Sequence, residues 1–100
     1  MDKITALEYA KKYADKVMES CSPMAIVVYG SYLTDIADEN SDIDIAVIFD
    51  GFTGDFLELS AELYKLTCEV STVIEPIILD IKNDVSGFAH EILKKGKKVA

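Results

Sequence analysis

Apolar residues recur at Leu7, Ala10, Ala14, Val17 and Met18, the spacing of one face of a helix. Thr5-Ala6-Leu7-Glu8 just ahead of them has the form of a capping box. The spacing predicts a helix from Thr5 to about Glu19, stopped by Ser22-Pro23. Met24 to Tyr29 is short, β-branched and almost wholly apolar, which suits a strand buried on both faces. Gly30-Ser31 ends it. Ser31 to Ile36 reads as a short helix or turn, and Ala37 to Ser41 as a polar loop.

From Asp42 to Phe49 the period changes to two. Asp42, Asp44, Ala46 and Ile48 share one face, and Ile43, Ile45, Val47 and Phe49 the other. Asp50 to Gly54 reads as a turn. Asp55 is placed to cap a second helix carrying Leu57, Leu59, Leu63 and Leu66. Val70 to Leu79 predicts a third strand, at an edge or bulged because of Pro76. Ser86 is a candidate cap for a last helix through Leu93, with Lys94 and Lys95 at its end and Gly96 as its stop. The order α-β-turn-β-α-β-α predicts a small α/β or α+β domain, 1–100, with helices packed on a three- or four-stranded sheet.

The chain has 100 residues, enough for one such core and no more. Half of them are hydrophobic and mean hydropathy is +0.19, which argues against disorder. No apolar run approaches the ~20 residues of a membrane span, and Met1-Asp2-Lys3 lacks the pattern of a secretion signal. Two cysteines, Cys21 and Cys68, form no framework, so a reduced, cytoplasmic protein is expected.

Charge narrows the partners. Net charge is −8, every basic residue is a lysine, and no base occurs between Val17 and Tyr64, where ten acids stand. Such a surface repels nucleic acid backbones and anionic membranes. It attracts cations, and an anionic ligand arriving here needs a metal ion beside it.

Asp42 and Asp44 place two carboxylates on one side of a strand. Like charges so close raise one pKa unless a cation offsets them, and Mg²⁺ favours a few carboxylates plus substrate phosphates. Gly30 lets another group approach the backbone closely. A helical turn starting at Ser31 would add free N–H groups and a hydroxyl for an anion.

Taken together, Gly30-Ser31, ten residues, then Asp42-Ile43-Asp44 resembles the DNA polymerase β-like nucleotidyltransferase superfamily, and most closely its minimal stand-alone members. Val-Val-Tyr-Gly-Ser-Tyr and Asn-Ser-Asp-Ile-Asp-Ile-Ala-Val carry the likeness further, and it extends over essentially the whole chain. The resemblance implies a polymerase β-like core with a mixed sheet. It implies a nucleoside triphosphate substrate, ATP as the expected donor, with Gly30 and Ser31 on its β- and γ-phosphates. It implies two Mg²⁺ ions held by Asp42, Asp44 and a third carboxylate on a neighbouring strand, clamping the attacking and leaving oxygens. Glu75 is the expected third carboxylate and a candidate proton acceptor; Asp80 is the fallback, with the look of a strand-end residue.

The resemblance also implies a partner. Short relatives pair with HEPN-domain ribonuclease toxins and, as antitoxins, adenylylate a tyrosine of the partner. An acidic chain complements a basic one. A homodimer is also compatible with apolar residues such as Leu33, Phe52 and Phe56. Many relatives carry Arg-Gly after the Gly-Ser pair; here Tyr32-Leu33-Thr34-Asp35 stands instead. That departure keeps two alternatives open, a non-catalytic antitoxin that occludes its partner and a small-molecule transferase of the aminoglycoside type. A template-dependent polymerase is the least expected reading, since the chain has no basic groove for a primer. His90, Cys21 and Cys68 read as structural residues, and Lys94 to Lys98 as a helix end and tail.

Overall fold

A computed structural model describes residues 3–30 and 42–100. The elements are α1 (Lys3–Ser20), β1 (Ala25–Tyr29), β2 (Ile43–Phe49), α2 (Phe56–Thr67), β3 (Ile74–Asp80), a 3₁₀ turn (Ile81–Asn83), α3 (Phe88–Lys95) and β4 (Lys97–Lys98). The expected turn at 31–36 and loop at 37–41 lie outside the described residues.

The sheet runs β3-β2-β1-β4. β1 is antiparallel to β2 and to β4, while β3 is parallel to β2, so the sheet is mixed. The period-two reading of β2 sorts its side chains correctly. Ile43, Ile45, Val47 and Phe49 join Tyr13, Val17, Leu63 and Leu66 in one apolar cluster, under α1 and α2. Ala46 and Ile48 join Val27 and Ile92 in a second, under α3. Helices therefore cover both faces, and the central strands read as nearly continuous apolar runs. Each fully buried Ile, Val or Leu adds about 1.5–3 kcal/mol through the water it excludes.

Several local expectations need correction. α1 begins two residues before Thr5, which therefore lies inside the helix. Its buried stripe is Ala6, Ala10, Tyr13, Ala14 and Val17, and Met18 faces out. Tyr13 joins the stripe because its hydroxyl donates to the Leu63 carbonyl at 2.8 Å, which makes a buried phenol tolerable. Asp55 caps α2 as expected, accepting from the Leu57 and Glu58 N–H groups at 2.8 and 3.3 Å. Leu57, however, is 81% exposed while Leu63 and Leu66 are buried. Nine residues separate Leu57 from Leu66, about 180° around the helix, so both cannot face the core.

β3 starts at Ile74, not Val70, and passes through Pro76 without a bulge, in unbroken register with β2 from Ile43↔Ile74 to Phe49↔Asp80. As an edge strand it loses no ladder bond to the proline. α3 starts at Phe88. Its first turn is held mainly by Asp84 rather than Ser86: the Asp84 carboxylate accepts from the Ala89 and His90 N–H groups at 2.9 and 3.0 Å and meets His90 Nδ1 at 2.6 Å.

Gly96 does stop α3, its N–H donating to the Ile92 carbonyl at 2.7 Å. The lysines beyond it are a strand, not a tail: Lys97 and Lys98 pair with Val28 and Val27. Ile26 N–H donates to the Ala100 carbonyl, and the Val99 N–H to the Ile26 carbonyl, at 2.9 and 2.8 Å. Two residues of high polarity gave no strand signal; the unpaired edge of β1 supplied it.

Candidate active site

β1 and β2 pair so that Tyr29 lies opposite Asp44, and β2 and β3 pair so that Glu75 lies beside Asp44 on the other flank. Directly paired residues share a face of the sheet. Asp42, two residues before Asp44, belongs to the same face and stands exposed just ahead of β2. The fold thus brings Asp42, Asp44 and Glu75 to one end of the sheet, on the face that α3 covers farther along. Phe88 of α3 meets the Tyr29 ring edge-on, with centroids 6.0 Å apart, and closes the apolar side of this end.

Gly30 completes it. Its φ is +83°, a conformation that L side chains rarely adopt. A Cβ placed there would run into the Asp44 carboxylate oxygen Oδ2. The glycine is therefore required twice, by its backbone and by the side chain of the next strand. Ser31 lies outside the described residues.

Electrostatics follow the geometry. Partial burial pushes the Asp44 carboxyl above the usual carboxylate range, and the charges of Asp42 and Glu75 add to the rise. Burial also raises the Tyr29 phenol, with the Asp44 charge adding to it. No lysine contributes at Asp44. Among the described residues, no three His, Cys, Asp or Glu side chains are grouped closely enough to hold one metal ion by themselves. Among the described residues the donors here are carboxylate oxygens, mutually repelling, beside the bare Gly30. That set fits a hard cation such as Mg²⁺, which takes one or two carboxylates and completes its shell with water and phosphate.

The other acids have structural duties. Asp80 accepts from the N–H groups of Gly51, Phe52 and Lys82 at 2.9, 2.7 and 2.9 Å, pinning the turn after β2 to the end of β3. These backbone donors hold its carboxyl below the usual range. Its oxygens are engaged at the end of β3 away from Glu75. Lys82 lies near Asp50, 3.8 Å away, at that same end. A cavity of about 440 Å³ is lined by Phe52, Phe56, Ile78 and Leu79 toward that end, and by Phe88, which also meets Tyr29.

Sequence reasoning missed two tyrosines here. Tyr29 was read as core, and only the β1–β2 register shows it facing Asp44. Tyr64, on α2, reaches Glu75: its hydroxyl donates to Glu75 Oε2 at 3.5 Å. No local pattern could have signalled a contact between a helix and the outer strand.

The fold and this end of the sheet define a class, the small α/β domains that gather carboxylates from neighbouring strands beside a glycine turn. Residues 10–100 match the Polymerase beta, Nucleotidyltransferase family, and the chain belongs to that family. No curated protein matches the chain. Among solved structures, a provisionally designated nucleotidyltransferase from Sulfolobus solfataricus is similar over 96% of this chain and 80% of its own, with 22% identity and a TM-score of 0.64. A toxin–antitoxin structure containing AMP-PNP is similar over 90% of this chain and 72% of its own, with 23% identity and a TM-score of 0.59. At these identities the likeness is one of fold.

Proposed function

We propose that this chain moves a nucleoside monophosphate, AMP from ATP, onto a hydroxyl of a partner protein, releasing pyrophosphate. The observation that carries the reading is Asp44 set between Glu75 and Tyr29, with Gly30 bare beside its carboxylate. Asp42 and Asp44 would hold Mg²⁺, with Glu75 joining them on a second ion. Bound there, the metal would supply the positive charge that a triphosphate needs at this acidic end.

The chain's own residues do the rest. Gly30 leaves the backbone open beside Asp44, and with Ser31 it binds the β- and γ-phosphates in this reading. Glu75 orients the acceptor hydroxyl and takes its proton. The acceptor oxygen bonds to the α-phosphorus as the α–β phosphoanhydride bond breaks. Tyr29, backed edge-on by Phe88, forms the apolar side of the site.

The partner is a HEPN-domain toxin, and its acceptor a tyrosine. The fold likeness to a toxin–antitoxin structure that contains AMP-PNP supports both the pairing and the adenine nucleotide. A net charge of −8 suits a basic partner. Free Cys21 and Cys68 agree with a cytoplasmic setting. Among the described residues no helix is long and apolar enough to cross a membrane.

The test is a labelling assay in host lysate with α-labelled ATP and Mg²⁺, beside an Asp42→Asn/Asp44→Asn control. Label on a protein band, absent in the control, is the expected result. Label confined to a small molecule would replace the protein acceptor with an aminoglycoside-type one. One observation favours a second reading, an antitoxin that works by occlusion alone: no lysine contributes at Asp44, and the sequence between the motif halves adds no base. In that case the double variant still neutralises the partner in cells and no carboxylate-dependent label appears.

A further inference from the structure

Tyr64 is 51% exposed, yet its hydroxyl is not free in solution: it donates to Glu75 Oε2 at 3.5 Å. Two carbonyls of the backbone that carries it accept side-chain hydrogen bonds. The carbonyl of Tyr64 accepts from Thr67 Oγ1 at 2.6 Å and from Cys68 Sγ at 3.8 Å. The carbonyl of Leu63, one residue earlier, accepts from Tyr13 at 2.8 Å. These bonds tie the end of α2 to itself and to α1. The phenol stands at the outer edge of the sheet with its oxygen on the carboxylate proposed above to deprotonate the acceptor. Tyr13, by contrast, is fully buried, its hydroxyl committed to a carbonyl. Tyr29 is half-buried and lies opposite Asp44, on the next strand.

From this placement we infer that Tyr64 is a modification site, an internal acceptor that the chain nucleotidylates on itself. The inference rests on the proposed transfer reaction. Tyr64 Oη is within hydrogen-bond distance of Glu75, as an acceptor hydroxyl has to be for its proton to pass there. In the step, Tyr64 Oη bonds to the α-phosphorus of ATP and the α–β phosphoanhydride bond breaks. Pyrophosphate leaves with the electron pair, and the phenolic proton passes to Glu75. The product is a phosphodiester on Tyr64 that lies over Glu75. A chain so modified presents no free base to a further acceptor, so self-modification switches the site off until the ester is hydrolysed.

The experiment uses the purified full chain, ATP and Mg²⁺, with protease digestion and peptide mass measurement. The expected result is one AMP mass on the peptide that holds Tyr64, with the rate per molecule independent of protein concentration. The mass is absent from Tyr64→Phe and from Asp42→Asn/Asp44→Asn, and unchanged in Tyr9→Phe. The wild-type peptide map decides the site even where a variant fails to fold. An AMP mass on another residue, or a rate that rises with protein concentration, overturns the internal acceptor. If the same preparation labels a lysate protein while Tyr64 stays bare, the inference falls and the transfer reading stands. If neither is labelled and ATP·Mg²⁺ does not bind by calorimetry, the transfer reading itself falls and takes the inference with it.

Discussion

The carboxylate of Asp44 occupies the space in which a side chain on Gly30 would begin. The Asp44 carboxylate thus has its place because the residue that follows β1 has no side chain at all. Gly30→Ala has to move Asp44 and strain a backbone at φ +83°. The expected cost is about 1–3 kcal/mol by urea denaturation, with loss of nucleotidyl transfer. Adding Asp44→Ala removes the collision, so the double variant should be more stable than the sum of the two single changes predicts. Strict additivity would show that Gly30 is needed for its backbone only.

Asp44 is held among charges of its own sign. Replacing it with Asn removes that repulsion while keeping the shape, so Asp44→Asn should raise Tm at pH 7 by a few degrees. It should also lower transfer by about 100-fold or more. If Asp44 holds Mg²⁺ as proposed, the ion should raise the Tm of the wild type and not that of the variant. Equal Mg²⁺ shifts in both proteins would take the metal away from Asp44.

The turn that Asp80 pins should be sensitive to acid. The Asp80 carboxyl is held below the ordinary value by three backbone N–H donors, so the unfolded chain binds the proton more readily than the folded one. The stability Asp80 contributes is present above the ordinary carboxylate pKa and is lost as pH falls toward the depressed value. Asp80→Ala should lower Tm by several degrees at pH 7, and the gap to wild type should close in acid. A gap that stays constant from neutral to acid pH would mean the charge is irrelevant there.

Gly96 is packed against Val27 Cγ1 and the carbonyls of Ile92 and Val28, the last two at 2.7 and 2.9 Å from where a Cβ would stand. Its φ is ordinary, so the demand is one of space. Gly96→Ala should destabilise the fold by about 1–3 kcal/mol. Deleting residues 97–100 should cost a similar amount by stripping the pairing from β1. A truncated chain as stable as the full one would reduce β4 to a surface contact.

Much of this was legible in the sequence, and the failures have physical causes. Alternation in β2 gave both its faces, because side chains on a strand have no choice but to alternate. The Asp55 cap was readable because it is local. Leu57 was misplaced because apolar type alone does not fix phase around a helix. The Asp84 cap was missed because its carboxylate reaches five and six residues ahead. β4 was invisible because its residues are lysines, recruited by an edge that only the assembled sheet possesses. At the candidate site the three carboxylates could be named from type and spacing together with the family likeness. The two tyrosines could not, since their relation to Asp44 and Glu75 exists only through strand register and helix packing.

The two borders of the sheet have a consequence for how this acidic chain keeps company. The carbonyl of Val73 faces β2, so by the alternation of the ladder the nitrogen of Pro76 faces outward, where it has no hydrogen to offer. The opposite border is two residues long and carries Lys97 and Lys98, both exposed. Neither rim is a template on which a stray strand can grow, so the chain is guarded against fibrous self-association. Whatever protein binds it has to recognise its side chains rather than extend its sheet.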